Sequence, residues 1–387
     1  MSDARPTHDA LMLLKNSVDG VKLNESHLKI IRAVMCAPGT RADLRNRSGL
    51  AASTITTEVR NLIRRYNVLE ERPPGRRIHL TATNGVAVGL GVGVHRTIVV
   101  ARQVHDVERR DETVDTPIAD GQHWLRDTTG AVRRLVAAAG GGRAGIATIG
   151  MAVPWAVNPR DGRVSGSPPP WSCDGLDTGL TERLTPAHGK IKVLVGNDAL
   201  LTANAEQLVH RSENMLFLQV SGHVLGGTLV GDRLLQGHLG LAGQLGHLPV
   251  DPHGEACWCG RHGCLEGFVK SSALMRDAIG WCDAEQLPRP RSLGDLTDRA
   301  EEGDAVCLGV LRRAAARIGQ ALAMACLVGA PELIVIGGEA ARGLELARDW
   351  CAREMTRGEW TAKTKVVYST ASDAPANGAL LLGLLGT

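Results

Sequence analysis

The histidine and cysteine residues between positions 247 and 264 are the ones whose types and spacing could do chemistry. His247 is followed by Cys257, Cys259 and Cys264, which places four soft or borderline metal ligands within eighteen residues. Such a set can close around one tetrahedral Zn²⁺, and a closed set with no open position predicts a structural ion rather than a Lewis acid. The alternative is a group of buried cysteines beside an unrelated histidine, but Cys-x-Cys spacing in a non-secreted chain favours metal over disulfide.

The same stretch resembles the signature of a known family. It reads Gly-His, then Val-Asp-Pro, then Cys-x-Cys-Gly-x-x-Gly-Cys-Leu-Glu, and it is similar to the motif of ROK proteins, named for repressors, open reading frames and kinases. The resemblance extends over nearly the whole chain. It implies an α/β body of the actin-like ATPase type with two lobes and a sugar cleft between them. The metal motif by itself does not distinguish the sugar kinases of that family from its transcriptional repressors.

Composition and charge limit the possible locations and partners. The chain has 387 residues, enough for two or three folding units. Residues 1–85 hold 14 Lys and Arg against 8 Asp and Glu, whereas the whole chain carries only +3, so a nucleic acid partner is expected for the first part alone. No apolar run is long enough to span a bilayer and no signal segment is apparent, so a cytoplasmic protein is expected. The remaining cysteines are then predicted to be reduced and mostly buried, namely Cys36, Cys173, Cys282, Cys307, Cys326 and Cys351.

The first 83 residues have the pattern of three helices followed by a hairpin. Apolar residues recur at helical spacing between positions 28 and 35, Thr40 is placed to cap a second helix, and Ser53 or Thr54 to cap a third. Two short apolar runs then bracket a Pro- and Gly-containing turn, which predicts a β-hairpin wing. Two helices joined by a short glycine-containing turn are typical of a helix-turn-helix.

This module is predicted to bind DNA. The start of the third helix would enter the major groove and meet base edges, while arginines further along that helix and on the wing would contact phosphates. The predicted residues are Ser53, Thr54, Thr56, Thr57, Arg60, Arg64, Arg76 and Arg77. The alternative is a small helical protein-interaction domain with a solvated basic face. Resemblance favours DNA, because ROK repressors carry a winged helix-turn-helix at this place and ROK kinases normally lack it.

The rest of the chain alternates buried strands with helical segments, which predicts an α/β body. With the family resemblance, this gives three parts: a winged helix-turn-helix domain over 1–83, a small α/β lobe over 84–196 completed by 370–387, and a large α/β lobe with the zinc motif over 197–369. A loop at 165–175 is rich in Pro and Gly, and in the family a loop at this place lies over the sugar. The helix predicted at 305–328 is expected in the core, with a dimer interface as the alternative use.

Asn197 and Asp198 follow a predicted strand. From the residues alone, a helix cap and a polar pair presented into a cleft are equally good readings. The resemblance decides between them, because Asn-Asp-Ala is the sugar-binding motif of ROK proteins and its Asp is the general base of the kinases. Asn197 and Asp198 are therefore expected to meet sugar hydroxyls, with Asp198 at the position of a vestigial base.

The resemblance also assigns sugar ligands around the metal motif. The family has Glu-x-Gly-His before the cysteines, where this chain has Gln244 and then His247. His247 is expected to ligate zinc through one ring nitrogen and a sugar hydroxyl through the other. The amide of Gln244 is a weaker acceptor than a carboxylate, although it still donates and accepts hydrogen bonds. Glu266 matches a family sugar ligand unchanged.

The phosphate loops depart from the kinase pattern. The ROK kinases have Asp-x-Gly-Gly-Thr, with a carboxylate near magnesium, where this chain has Gly93, Val94, His95, Arg96 and Thr97. A second loop, Gly-Thr-Gly-Ile-Gly-x-Gly in the family, holds His223 and Leu225 at positions where phosphate needs close backbone approach. A third element, Gly337-Gly338, is intact. Phosphoryl transfer depends on phosphate positioning and metal electrostatics, so no catalytic residue is assigned and kinase activity is expected to be very weak or absent.

The sequence therefore predicts a sugar-responsive transcriptional regulator, by family default a repressor. It would bind a double-stranded, palindromic DNA operator as a homodimer or homotetramer, and a sugar or sugar derivative in a degenerate kinase cleft. The alternative function is an ATP-dependent sugar kinase of the glucokinase type with an added N-terminal domain. Asp198 supports the kinase, and the altered phosphate loops oppose it.

Overall fold

The computed structural model describes residues 24–36, 38–65, 68–80, 85–104, 108–140, 145–165, 175–188, 191, 193–231, 233–359, 361–371 and 373–385. The chain divides into two compact units, one of residues 1–201 with 375–387 and one of residues 202–374. Each unit contains its own five-stranded sheet. Most of the predicted loop 165–175 lies outside the described residues.

The described part of the first unit begins with three helices and a two-stranded hairpin. These elements are α1 (Glu25–Cys36), α2 (Arg41–Ser48), α3 (Ala52–Arg64), β1 (Leu69–Arg72) and β2 (Arg77–Leu80). The two strands pair antiparallel, with Leu69 opposite Leu80. This is the element order that the sequence predicts for the N-terminal module.

The predicted cap of α2 is confirmed and the predicted cap of α3 is wrong. The Thr40 hydroxyl accepts the Asp43 N–H at 3.3 Å while the Asp43 carboxylate accepts the Thr40 N–H at 2.8 Å, which is a reciprocal capping box. Gly49 ends α2 with a φ of 66°, a conformation that glycine adopts without steric cost. Helix α3 starts one residue before Ser53, so Ser53 and Thr54 lie within its first turn and do not cap it.

The hydrophobic core of the module lies against the inner face of α3. Ile55, Val59 and Leu62 recur at helical spacing and are fully buried. Ile63 is only partly buried: it packs against this core and also lines a surface groove, because it lies about 100° round the helix from Leu62.

A buried polar pair ties α1 to α3. The His27 Nε2 atom lies 2.7 Å from Glu58 Oε2, and Asn61 Nδ2 donates to the same oxygen at 2.9 Å. The hydrogen bond from Asn61, reinforced by that from His27, lowers the pKa of Glu58 despite its partial burial. The carboxylate therefore stays ionised and satisfied at the helix junction.

The first unit's sheet has the strand order β5-β4-β3-β6-β7. Its strands are β3 (Val86–Val92), β4 (Thr97–Gln103), β5 (Arg109–Val114), β6 (Ile146–Val153) and β7 (Val193–Asn197). β3 pairs antiparallel with β4 and parallel with β6, and β6 pairs parallel with β7. The unit's helices are α4 (Gly121–Ala138), α5 (Leu176–His188), α6 (Asp198–His210), most of which continues into the second unit, and α13 (Ala374–Leu385).

Large and small side chains alternate along β3, and this alternation determines which helix packs on each face of the sheet. Val86, Val88, Leu90 and Val92 join one cluster with Trp124 of α4, as the two-residue period of a strand requires. The intervening positions are Ala87, Gly89 and Gly91, and these small residues let α13 approach the other face. A Cβ at Gly89 would overlap the Ala376 carbonyl, and one at Gly150 of β6 would overlap the Ala379 carbonyl.

The second unit's sheet has the order β10-β9-β8-β11-β12. Its strands are β8 (Met215–Val220), β9 (Val224–Val230), β10 (Arg233–Leu234), β11 (Leu333–Gly337) and β12 (Lys365–Tyr368). Its helices are α7 (Glu266–Val269), α8 (Ser271–Ala284), α9 (Leu293–Glu301), α10 (Ala305–Gly329), α11 (Ala341–Leu346) and α12 (Arg348–Met355). β11 lies between β8 and β12 and is parallel to both.

The long helix predicted at 305–328 is confirmed as α10 and its expected place in the core is correct. Val310, Leu311, Ile318 and Leu322 are at most 2% exposed. The apolar runs of the sequence predict β3, β4, β6, β7, β8 and β11, and these strands are confirmed, whereas β5, β9, β10 and β12 were not predicted. β5 reads RRDETV and pairs on one side only, at the edge of its sheet, so it carries no apolar run to signal it. No helix in the described ranges combines the length and apolarity that a bilayer crossing needs.

Replacing Gly150 with alanine tests the packing of α13. We expect Gly150→Ala to lower the free energy of unfolding by about 3 kcal/mol, because the added methyl group meets backbone that cannot turn away. Gly121→Ala is the matched control, since its Cβ would meet only Leu176 Cδ2 at 3.9 Å, and we expect a change within about 1 kcal/mol. Urea unfolding followed by circular dichroism measures both. Equal midpoints for Gly150→Ala and the wild type would contradict the packing of α13 on β6.

Candidate metal centre and ligand-binding residues

The four predicted metal ligands converge in the second unit. The side-chain donor atoms of His247, Cys257, Cys259 and Cys264 all lie within 4.8 Å of one another. His247 Nδ1 is 3.5 Å from Cys257 Sγ, and Cys259 Sγ is 3.6 Å from Cys264 Sγ. Nitrogen and sulfur ligands around one tetrahedral ion are separated by about 3.5–3.8 Å. The donor set and its spacing therefore fit one four-coordinate metal ion.

Backbone hydrogen bonds hold these ligands on one folded loop. The Cys257 N–H donates to Arg261 O at 2.7 Å, and the Val250 N–H donates to Gly263 O at 2.9 Å. Gly263 has a φ of 61°, and a Cβ there would overlap the carbonyl of Asp251, so only glycine allows this return of the chain. His253 and His262, the other two histidines of this stretch, are exposed and lie outside the cluster.

Arg317 of α10 anchors the loop to the core. Its guanidinium donates to Val250 O at 2.9 Å and to the Asp251 carboxylate at 3.0 Å, and it lies over the Phe268 ring at 5.0 Å. This role was not predicted, because Arg317 is more than fifty residues from the cysteines. A helix of the core thus supports the turn that leads into the ligand set.

Burial shifts the pKa values of two of the predicted metal ligands. It raises the pKa of the Cys264 thiol to about 12 and lowers the pKa of His247. A neutral imidazole is the ligand form of histidine, and a thiol of raised pKa ionises only beside a cation. Metal binding here therefore releases protons and weakens as the pH falls.

Glu266 is buried directly beside the metal ligands. Its Oε2 accepts the Val224 N–H at 3.1 Å and its Oε1 accepts the Trp258 indole N–H at 3.0 Å. Burial alone would raise its pKa, but the hydrogen bonds from His223, Trp258 and Val224 outweigh burial and lower the pKa to about 2. Glu266 is therefore a carboxylate whose two oxygens already accept hydrogen bonds from the protein.

The predicted sugar ligands of the second unit are brought close together. Trp258 contacts two of them, since its ring meets His247 edge-on with centroids 4.8 Å apart and its N–H meets Glu266. Gln244 lies on the turn before His247, whose N–H donates to Gln244 O at 3.0 Å. Sequence reasoning did not single out Trp258, although it lies between Cys257 and Cys259 in the metal motif.

Asn197 and Asp198 belong to the first unit and lie at the junction of β7 and α6. Asn197 Oδ1 accepts the Leu200 N–H at 3.0 Å, and Asp198 Oδ1 accepts the Ala199 N–H at 2.7 Å. Asn197 Nδ2 also donates to Trp155 O at 3.0 Å. Both side chains therefore take part in a helix cap, which is one of the two readings that the residues allow. Their contact with a sugar stays a prediction.

Four of the eight predicted DNA-binding residues, Thr56, Arg60, Arg64 and Arg76, line one surface groove in the first unit. A cavity of about 500 Å³ separates the outer face of α3 from the hairpin, and it is lined by Arg41, Thr56, Arg60, Ile63, Arg64, Glu71 and Arg76. Ser53, Thr56, Thr57, Arg60 and Arg64 are exposed, as predicted for an outward face, while Thr54 is half-buried. Arg77 is exposed on the hairpin, where its guanidinium donates to Pro38 O at 2.6 Å.

Glu71 organises the far wall of this groove. Its Oε1 accepts a hydrogen bond from Arg41 at 2.8 Å and one from Arg76 at 3.1 Å. The bond from Arg41 lowers the pKa of Glu71, so the carboxylate is ionised and links α2 to the hairpin turn. Sequence reasoning missed Glu71, because an acidic residue in a basic module gives no signal of a positioning role.

The first altered phosphate loop is a tight hairpin turn. The Gly93 N–H donates to Arg96 O at 2.9 Å, joining β3 to β4. Thr97 is the one residue that matches the kinase motif, and it is fully buried with its hydroxyl accepting the Trp124 indole N–H at 2.8 Å. Its hydroxyl thus serves the core of the first unit.

The two glycine-rich elements of the second unit have packing roles. A Cβ at Gly226 would meet Leu245 and one at Gly337 would lie 2.7 Å from the Phe217 ring. Gly338 has a φ of 96°, and a Cβ there would lie 2.6 Å from Val220 O. Close packing is therefore sufficient to explain these glycines. His223, which interrupts the second loop, directs Nδ1 toward Glu266 Oε2 at 3.7 Å.

Comparison with known proteins decides the family. The ROK family model matches residues 87–384. The chain belongs to the ROK family. Among curated relatives it is 38% identical over 144 residues to N-acetylmannosamine kinases of Yersinia pestis and Yersinia pseudotuberculosis. That match covers 37% of this chain, which spans 48%, about half, of the length of those relatives.

Solved structures of this ROK protein's relatives share its actin-like ATPase fold. A ROK hexokinase from Thermus thermophilus is 27% identical with a TM-score of 0.60, covering 78% of this chain and 98% of the hexokinase. A ROK transcriptional regulator, a homologue of the E. coli MLC protein, is 22% identical with a TM-score of 0.68, covering 93% of this chain and 98% of its own. The fold therefore occurs in both enzymes and regulators, and the fold alone does not choose between them.

Serine substitutions test the metal centre. We expect the wild type to carry about one metal ion per chain and Cys257→Ser or Cys264→Ser to lose it, because three remaining ligands no longer close a tetrahedral set. Cys326→Ala is the control, since this cysteine is buried in α10 outside the cluster, and it should retain the ion. Elemental analysis measures the metal, and circular dichroism shows whether each variant is folded. Folded wild-type protein without metal would contradict the assignment.

Proposed function

We propose that this ROK protein is a cytoplasmic transcriptional repressor that responds to a sugar or sugar derivative. The observation that carries the proposal is the arginine-lined groove between α3 and the hairpin. ROK kinase activity needs no such module, and the regulator's structural match covers 93% of this chain against 78% for the hexokinase.

The groove has the chemistry of a phosphate-binding surface. Arg60 and Arg64 are one helical turn apart on the exposed face of α3, and Arg41 and Arg76 line the opposite side. Arginine side chains of this kind contact phosphates and fix the register of a protein on DNA. The exposed Ser53, Thr56 and Thr57 lie nearer the start of α3, the part of a recognition helix that meets base edges.

The state of the first phosphate loop supports a regulator over an enzyme. A kinase needs a carboxylate near the metal ion and backbone that can approach the phosphates. Here Gly93 occupies the carboxylate position, and the matching Thr97 is buried against Trp124. Gly226, Gly337 and Gly338 of the other two elements have close packing partners. The sugar-side residues are retained better than the ATP-side residues, as expected of a ligand sensor.

The sugar would be recognised through Asn197, Asp198, Gln244, His247 and Glu266. The metal ion is Zn²⁺ in this proposal, because its ligands are one imidazole and three thiolates. Zinc bound there would fix the ring of His247 through Nδ1 and leave Nε2 for a hydroxyl. Its role is structural, since four protein ligands leave no open position for substrate.

A palindromic operator calls for a symmetric oligomer, a homodimer or homotetramer. Two copies of α3 would then enter major grooves about one helical turn or a multiple apart. Sugar binding would alter operator affinity by changing the relative positions of the paired modules. The coupling must be reciprocal, so operator DNA changes sugar affinity by the same factor.

Selection from a random DNA library is the experiment that tests the proposal. We expect the zinc-loaded full-length protein to enrich an inverted repeat, and a sugar such as glucose or N-acetylmannosamine to change its retention. Arg60→Ala/Arg64→Ala should weaken binding. It should also make the slope of log affinity against log salt concentration less negative by about 2, because each lost phosphate contact reduces the magnitude of that slope by about 0.9.

The control for this variant is Arg160→Ala/Arg163→Ala, which removes two exposed arginines of the first unit far along the chain from α3. It should leave both affinity and salt dependence unchanged. No enrichment by the wild type, or equal effects of the two double variants, would reject the DNA-binding function.

A sugar kinase is the second candidate, because Asp198 is retained at the end of β7 and the curated relatives are kinases. In that role Asp198 would take a proton from the attacking sugar hydroxyl. We expect no sugar-dependent ADP release from the wild type in a coupled assay with glucose or N-acetylmannosamine. ADP release that Asp198→Asn abolishes would establish the kinase instead.

A further inference from the structure

Glu71 is a carboxylate on a surface that is otherwise basic. Among the described residues that line the groove between α3 and the hairpin, Glu71 alone is acidic and four are arginines. DNA carries a dense negative charge, so a carboxylate on a surface that meets DNA opposes binding unless it has another role. The place of Glu71 in this groove is therefore to be explained by the arginines that it contacts.

One oxygen of Glu71 links two separate elements of the module. Arg41, the first residue of α2, donates to Oε1 at 2.8 Å, and Arg76, in the hairpin turn, donates to the same atom at 3.1 Å. The side chain of Arg76 is 82% exposed, so without this bond it would be free to sample many rotamers. Arginines that are oriented before DNA arrives lose less conformational freedom on binding.

The opposite wall of the groove is the exposed face of α3. Arg60 and Arg64 lie one helical turn apart on it. A recognition helix enters the major groove, and one sugar–phosphate strand separates the major groove from the minor groove beside it. When a helix lies in the major groove with a hairpin alongside, such a strand passes between the two. The groove between α3 and the hairpin is where that strand would lie.

We propose that Glu71 is a positioning residue of the DNA site, which holds Arg41 and Arg76 against one sugar–phosphate strand of the operator. Arg41, which the sequence did not single out, is then a DNA contact. Phosphate contacts fix the register of a protein on DNA, whereas non-specific binding depends on the total charge. Glu71 therefore favours the operator over other DNA, because it fixes two donors while it lowers the net charge of the surface. This inference rests on the proposed DNA-binding function.

Binding of the full-length protein to two duplexes tests the inference, one with the enriched inverted repeat and one with a scrambled sequence of equal length. We expect Glu71→Ala to weaken operator binding about tenfold and to bind the scrambled duplex no less tightly. The slope of log operator affinity against log salt concentration should become less negative by about 2, because two phosphate contacts are lost at about 0.9 each. Glu71→Gln keeps an oxygen that can accept both hydrogen bonds, and it should weaken operator binding only about threefold.

Glu70→Ala is the matched control. Glu70 precedes Glu71 in β1, so the alternation of a strand directs it to the other face, where its carboxylate pairs with Arg72 through a hydrogen bond of 2.7 Å. The variant removes the same charge and also releases an arginine. We expect it to bind the operator no less tightly than the wild type. Equal losses in Glu70→Ala and Glu71→Ala would overturn the inference.

A double-mutant cycle separates positioning from support of the fold. If Glu71 acts through the two arginines, Glu71→Ala weakens operator binding in the wild type but adds no further loss to Arg41→Ala/Arg76→Ala. A full additional loss in the combined variant would overturn the positioning role. Thermal unfolding of every variant identifies any loss of affinity that comes from loss of the fold.

The outcomes distinguish this inference from the proposed function. An operator that binds the wild type and Glu71→Ala equally overturns the inference and leaves the DNA-binding regulator standing. Tighter binding of both duplexes by Glu71→Ala, with a more negative salt slope, would show that Glu71 only neutralises charge, and would also overturn the inference. A wild type that enriches no operator rejects the DNA-binding function itself, and the inference with it.

Discussion

The convergence of one imidazole and three thiols is the interaction on which the arrangement of the loop 247–264 and the start of α7 depends. Their donor atoms lie within 4.8 Å of one another, so one ion can link both ends of an eighteen-residue segment. The segment carries Trp258 between two ligands and leads directly into α7, whose first residue is Glu266. Binding free energy at such a site is folding free energy. The orientations of His247, Trp258 and Glu266 are thus set together.

In the first unit, the structure depends in the same way on the close packing of α13 against β3 and β6. Small residues on alternate positions of β3 and β6 allow the backbone of α13 to approach the sheet. The same helix presses on the start of α6, because a Cβ at Gly378 would overlap the backbone of Leu201. Asn197 and Asp198 lie at that junction. A segment at the end of the chain therefore helps to position a polar pair that lies almost two hundred residues before it.

Residues at the phosphate-loop positions differ in how strongly the packing of the body constrains them. Glycines that pack against neighbours, such as Gly337 against Phe217, are retained whatever the chemistry, since a side chain there has no room. Residues needed only for phosphate have no such constraint, and Gly93, His95 and Arg96 stand at those positions. Electrostatic stabilisation of phosphoryl transfer depends on those groups. The surviving polar groups are suited to recognising a ligand.

The sequence by itself determined the His and Cys cluster that could hold a metal ion, the long helix α10 and six of the buried strands, because each depends on residues that are close along the chain. His247 and the three cysteines are separated by at most seventeen positions, and β8 and β11 each contain a run of four apolar residues. Strand β5 escaped prediction because its charged residues pair only at a sheet edge.

Tertiary structure alone decided which contacts individual side chains make. Thr97 matches the kinase motif, yet Trp124 from another element buries it. Glu266 matches a family sugar ligand, and only the structure shows that its carboxylate also accepts hydrogen bonds from Trp258 and Val224. Glu71 gave no signal, yet it holds two arginines of the groove. A residue type shows which hydrogen bonds a side chain can make, whereas only the packing of distant segments determines which of them it does make.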